Sequence, residues 1–255
     1  MNIYVMACLG TLFTFLMTVL GSAIVFIFRG ELKESVQKVF FGFAAGVMIA
    51  ASVWSLLLPA MDRAVQLGLS PWIPAGGGFV LGGAFLWLMD VAVRKLKPEK
   101  MSHGSFLLFS AVTMHNVPEG MAVGLAFAAV GNGVNDLLPF ASAIGLAVGI
   151  GIQNFPEGAA ISLPLRKEGI SKTKAFLCGS LTGVVEPMFG IPVVFMAERV
   201  EPMMPWLLSF AAGAMIYVSV AELIPNAVDT RDKGTGIFGV MMGFLVMMLL
   251  DVALG

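Results

Sequence analysis

The sequence predicts an all-α membrane protein of eight transmembrane helices, and three observations carry that expectation. Hydrophobic residues make up 58% of the chain and charged residues 12%, against roughly 45–50% and about 25% in ordinary soluble domains. The apolar residues fall into eight runs long enough to cross a bilayer, which takes about 20 residues each. The basic residues collect on alternate loops. The net charge of −1 offers nothing to a nucleic acid; the partner this composition calls for is lipid. Connections between the runs are short, so the expectation is one multi-pass domain over residues 1–255.

The expected spans are 2–28, 39–60, 73–93, 105–130, 138–164, 175–197, 203–226 and 236–254. The first lacks a basic start and a small-residue cleavage site, so it reads as a retained helix rather than a signal peptide. Arg29, Lys33 and Lys38 follow it. Arg94, Lys95, Lys97 and Lys100 follow span 3, Arg166, Lys167, Lys172 and Lys174 follow span 5, and Arg231 and Lys233 follow span 7. Only Arg63 and Arg199 stand on the opposite side. Basic loops stay cytoplasmic, so both termini are expected outside. Cys8 and Cys178 sit in apolar runs and read as small core residues.

Two segments repeat at a constant offset. Phe43-Ala44-Ala45-Gly46-Val47-Met48-Ile49 in span 2 matches Phe210-Ala211-Ala212-Gly213-Ala214-Met215-Ile216 in span 7, and the match runs on through Ser52 and Ser219 to Asp62 and Asp229. Span 3 ends Asp90-Val91-Ala92-Val93, and span 8 ends Asp251-Val252-Ala253-Leu254. Matched spans are five apart in order and so run in opposite directions. The expected layout is 3+2+3: an inverted repeat of 1–93 and 175–254 around central helices in 105–164. Inverted repeats with a site near the midplane characterise secondary transporters.

Spans 4 and 5 carry the polar residues that this layout needs to explain. Span 4 holds Met114-His115-Asn116-Val117-Pro118-Glu119-Gly120, and span 5 holds Ile152-Gln153-Asn154-Phe155-Pro156-Glu157-Gly158. His115 and Glu119 are four residues apart, as are Gln153 and Glu157, so each pair shares a helix face. Asn116 and Asn154 sit one step round. Pro118 and Pro156 free the carbonyls of Met114 and Ile152 from their helical donors. Span 6 adds Glu186-Pro187 near its midpoint. Each charge at the bilayer centre costs about 2.5–3.5 kcal/mol on insertion scales. Three buried carboxylates therefore call for neutralisation by divalent cations or protons. Imidazole, carboxylate and amide oxygens together suit Zn²⁺, and also Fe²⁺ or Mn²⁺. An intramembrane zinc hydrolase would bury similar groups, but it needs several His or Cys ligands. This chain has only His103 and His115 and no H-E-x-x-H.

The motif pair resembles the signature of the ZIP family of divalent metal transporters. The Gln-Asn-Phe-Pro-Glu-Gly form and Glu186-Pro187 resemble its GufA-like subgroup. The likeness extends over essentially the whole chain. It implies metal ligands at His115, Asn116, Glu119, Gln153, Asn154, Glu157 and Glu186, arranged as a binuclear site. It implies uptake of Zn²⁺ as substrate, with Fe²⁺, Mn²⁺ and Cd²⁺ as related cargo. It also implies a homodimer, a prokaryotic plasma membrane and no enzymatic activity or prosthetic group. Asn154 stands where some relatives carry Asp, which removes a charge from the second metal position. The His-rich loop of many relatives is missing, and His103 reads as a solvated loop residue. Met48 and Ser55 would line an outer route to the site. Asp62 and Asp251 are expected toward the outside, and Asp90, Glu222 and Asp229 toward the inside. A metal-selective channel and a proton-coupled carrier of an organic solute would use much the same layout. The methionines of span 8 (Met241, Met242, Met247 and Met248) read as packing residues.

Overall fold

The computed structural model describes residues 3–27, 33–95, 103–131, 140–196, 201–228 and 233–254. Every regular element among them is helical. Eight rods follow in order. They are α1 (Ile3–Ile27), α2 (Glu34–Gln66), α3 (Trp72–Arg94), α4 (His103–Gly131), α5 (Phe140–Lys167), α6 (Lys172–Phe195), α7 (Met204–Ala227) and α8 (Lys233–Leu254). Six of them, α1, α2, α3, α6, α7 and α8, are long and apolar enough to cross a membrane. α5 stays outside that set because Gln153, Asn154 and Glu157 dilute its apolar run, and the side chains of α4 are described only in part. Asp229 and Arg231 lie outside the described residues, as do the side chains of His103 and His115.

The rods sort by contact into two groups. α1 packs along α5, α4 along α6, and α6 against α1 and α5. In the second group α2 packs along α8, α3 along α7, and α7 against α2. Fewer contacts cross between the groups, chiefly α2 with α5 and α7 with α4.

The repeated segments explain the close pairing in the second group. A Cβ on Gly46 would lie 2.1 Å from the carbonyl oxygen of Val240, and one on Gly213 would lie 2.0 Å from that of Phe79. Only glycine lets α2 meet α8, and α7 meet α3, backbone to backbone. Such approach is how helices associate in lipid, where tails are as apolar as leucine and burial gives no drive. Downstream of each glycine the helix opens into a π segment, Ser52–Leu57 in α2 and Ser219–Leu223 in α7. Pro59 and Pro225 follow at once. A proline has no N–H to close the preceding turn, and a wider turn relieves the clash of its ring. The hydroxyls of Ser52 and Ser219 bond back to the carbonyls of Met48 and Met215, at 2.7 and 2.9 Å. Cys8 on α1 and Cys178 on α6 are half-buried free thiols.

Outward faces remain apolar. Val80, Leu81, Trp87 and Leu88 of α3 and Met241, Leu249 and Val252 of α8 are all exposed, as expected of surfaces solvated by acyl chains. Met242 is exposed as well, whereas Met247 is fully buried.

Gly46→Ala or Gly213→Ala should force the paired backbones apart, an overpacking cost of about 1–3 kcal/mol. Each should lower the detergent-solubilised Tm by several degrees. Gly76→Ala, with nothing within 4 Å of its added Cβ, should leave Tm unchanged.

Candidate metal centre

Adjacent residues on a helix point about 100° apart, so a pair of amides can serve two neighbours at once. Gln153 and Asn154 of α5 do this. The Gln153 side-chain amide donates to Oε1 of Glu119 on α4. The Asn154 amide donates to Oε1 of Glu186 on α6 at 2.9 Å, and to the carbonyl of Thr14 on α1 at 3.3 Å. α5 thus ties the acids of two other helices together. On the far side, the Asn116 amide donates to the carbonyl of Thr182 at 2.9 Å, which holds α4 to α6. A Cβ on Gly120 would lie 2.3 Å from the Glu186 carbonyl oxygen, so the Gly of the α4 motif is what permits this approach.

These groups are deep. Asn116, Glu119, Gln153, Asn154 and Glu186 have no exposed surface, and Glu157 is 2% exposed. Glu119, Glu157 and Glu186 lie within electrostatic reach of one another. Each amide that donates leaves an oxygen over. Asn116 Oδ1, Glu119 Oε2, Gln153 Oε1, Asn154 Oδ1 and Glu186 Oε2 have no hydrogen-bond partner among the described residues. A buried acceptor left so costs about 1–3 kcal/mol, and more when charged. Among the described residues no three His, Cys, Asp or Glu side chains meet at metal-holding distance. A cation held here would meet amide oxygens as well as carboxylates.

The other candidates separate cleanly from this cluster: Met48, Ser55, Asp62, Asp90, Glu222 and Asp251 all belong to the α2, α3, α7 and α8 group. Met48 is fully buried. Ser55, in the α2 π segment, donates to Oδ1 of Asp251 on α8 at 2.5 Å. Asp62 is exposed near the end of α2. Asp90 accepts from the Tyr217 hydroxyl at 3.2 Å, an α3–α7 contact. Glu222 is half-buried in the α7 π segment, and its carbonyl takes the Asn226 amide at 2.6 Å.

Sequence reasoning found α1 as a helix but gave it no part in the site. Thr11, Thr14, Thr18 and Ser22 form a fully buried hydroxyl stripe facing α5 and α6. Ser22 donates to the Gly158 carbonyl at 3.2 Å, and Thr18 reaches Oε1 of Glu186 at 3.4 Å. The signal was present as four hydroxyl residues at helical spacing inside an apolar run. Tyr217 was also missed.

Comparison with known proteins identifies the family. Residues 94–251 match the ZIP zinc transporter family. The chain is 36% identical to Zinc transporter ZIP11 of Xenopus tropicalis, over 97% of this chain and 96% of that one. It is 33% identical to Zinc transporter GufA of Myxococcus xanthus, over 88% and 90%. It is also 33% identical to Zinc transporter ZIPB of Bordetella bronchiseptica, over 98% and 81%. With its whole length aligned to such relatives and its polar motifs gathered in one buried cluster, the chain belongs to the ZIP family of zinc transporters.

Proposed function

We propose that this protein carries Zn²⁺, and related divalent ions such as Fe²⁺, Mn²⁺ and Cd²⁺, through a prokaryotic plasma membrane into the cytoplasm. The observation that carries this reading is the set of buried oxygens left without donors between α4, α5 and α6. Carboxylates and donor-less oxygen acceptors buried together are stable in a membrane interior only when a cation or protons neutralise them. His115 supplies the nitrogen ligand. Glu119 and Glu157 are the central carboxylates, and Glu186, Gln153, Asn154 and Asn116 complete the shells as one or two metals require. The names of the aligned relatives support zinc as the cargo.

All eight rods are taken as spans, with both termini outside as the basic loops require. The inverted-repeat reading draws support from the packing. Exchanging α1 with α6, α2 with α7, α3 with α8 and α4 with α5 converts the α2–α8 pair into α7–α3, and the α1–α5 pair into α6–α4. The two π segments exchange as well. Alternating access follows from the grouping. The ligands ride on α4, α5 and α6, while Met48, Ser55, Asp62, Asp90, Glu222 and Asp251 sit on the other group. Sliding or rocking of one group on the other carries the ion from residues near one end of that frame to residues near the other. A homodimer formed by the frame group would hold it still while the ligand group moves.

In proteoliposomes, wild type should take up ⁶⁵Zn²⁺ saturably and with strong temperature dependence. His115→Ala, Glu119→Gln and Glu157→Ala should each reduce uptake by more than about tenfold, the scale set by loss of supporting ligands alone. Uptake that survived all three would move the path elsewhere, and non-saturating flux would favour a channel.

Phe41 on α2 and Ala160 on α5 line one narrow pocket between the groups. In a background without Cys8 and Cys178, a short reducible crosslink between cysteines at these two positions should stop uptake, and reduction should restore it. Uptake undiminished by full crosslinking would rule out relative motion of α2 and α5.

A further inference from the structure

Glu186 is bound unevenly. Its Oε1 accepts from the Asn154 amide at 2.9 Å and shares the single proton of the Thr18 hydroxyl, 3.4 Å away, with the Thr14 carbonyl. Its Oε2 is buried and has no partner among the described residues. Both donors are themselves anchored to α1. The Asn154 amide also reaches the Thr14 carbonyl at 3.3 Å, and the Thr18 hydroxyl lies 3.4 Å from the same oxygen. Thr14 brings a second hydroxyl beside the same carboxyl, though its own proton goes to the Thr11 carbonyl at 2.9 Å.

The fold makes room for this arrangement at two glycines. A Cβ on Gly158, the last residue of the α5 motif, would lie 2.1 Å from the Thr18 carbonyl oxygen. A Cβ on Gly183, three residues before Glu186, would lie 2.9 Å from both Cβ and Oγ1 of Thr18. Thr18 is therefore wedged between the backbones of α5 and α6. Its position is set by packing and not by a swinging side chain.

From this geometry we infer that Thr18 is a specificity-determining positioning residue, which together with Asn154 occupies one oxygen of Glu186 and leaves the carboxylate a single oxygen for the transported ion. The inference rests on the proposed role of Glu186 as a ligand. A one-oxygen carboxylate suits Zn²⁺, which is content with four ligands at about 2.0–2.2 Å. Larger ions take more oxygens and readily hold a carboxylate by both. Cd²⁺ is close to Ca²⁺ in size, so it is the ion that gains most when Oε1 is released. Thr18 then acts by withholding an oxygen from large cations. Asn154 does this from the other side, where an Asp would offer no donor.

The test is competition between ⁶⁵Zn²⁺ and Cd²⁺ in proteoliposomes of the full chain. Thr18→Val keeps the shape and removes the hydroxyl; it should raise the preference for Cd²⁺ over Zn²⁺ by about fivefold, the worth of one ordinary hydrogen bond. Thr18→Ser should restore the wild-type ratio. Thr11→Val, whose hydroxyl bonds only within α1, should leave the ratio unchanged. The Thr14→Val/Thr18→Val pair closes the route by which Thr14 could stand in. If a variant transports poorly, the ratio of Zn²⁺ and Cd²⁺ dissociation constants in detergent reads the same quantity. Wild-type uptake that falls with Glu186→Gln, alongside an unshifted ratio in both Thr18→Val variants, overturns this inference alone. A shift of equal size in Thr11→Val also overturns it. Uptake indifferent to Glu186→Gln overturns the ligand role of Glu186 and this inference with it.

Discussion

Three carboxylates buried in one helix group are the constraint on which the rest of the molecule depends. Glu119, Glu157 and Glu186 come from three helices and have almost no exposed surface. In a soluble protein such acids would be paired with Lys or Arg. Here the basic residues lie in or near the loops, Glu119 accepts from an amide, and Glu186 accepts from an amide and a hydroxyl. Neutral donors can satisfy one oxygen of a carboxylate without cancelling its charge. On the proposed reading the remaining charge is met by the cargo or by protons.

Bringing acids from separate helices within reach of one another needs backbones closer than most side chains allow. The two motifs supply that closeness themselves, since each ends in glycine. Gly120 lies against the Glu186 backbone of α6, and Gly158 against the Thr18 backbone of α1. The prolines just before them keep their helices intact while freeing a carbonyl each. Sequence order, Pro-Glu-Gly, thus has a spatial meaning: loosen the turn, present the acid, admit the neighbour.

Much of this was legible in the chain, and what was hidden was hidden for physical reasons. Helical class and the clustering of Asn116, Glu119, Gln153, Asn154, Glu157 and Glu186 follow from hydropathy and from helical spacing, which are local properties. The match between Gly46 and Gly213 was visible as text, but its use, two separate backbone contacts with α8 and α3, depends on which helices become neighbours. The π segments likewise could not be read from Ser52 or Ser219; they arise where a downstream proline meets tight packing. Orientation of the amides was out of reach as well. Gln and Asn carry a donor and an acceptor on one planar group, and only the acids across the gap decide that the nitrogens of Gln153 and Asn154 turn toward Glu119 and Glu186. The hydroxyl stripe of α1 escaped because threonine in an apolar helix bonds back to its own backbone and resembles ordinary packing. Three of the four do that, and only the contacts of Thr18 with Glu186 and of Ser22 with the Gly158 carbonyl reveal more.

The separation of the proposed ligands from the remaining acids follows from the same chemistry. A group that holds a desolvated ion must keep its own internal geometry, so its helices share dense backbone contacts and every amide is committed. A group that receives the ion at its ends needs acids that can let go. Asp62 is exposed, Asp90 accepts from the Tyr217 hydroxyl, and Asp251 from the Ser55 hydroxyl. A hydrogen bond of this kind is worth about 1 kcal/mol, small beside the desolvation of a divalent ion. In the proposed mechanism, tight commitment on one group and looser commitment on the other would make a gradient of affinity along the path. Such a gradient lets a buried site both take an ion from one face of a membrane and give it up at the other.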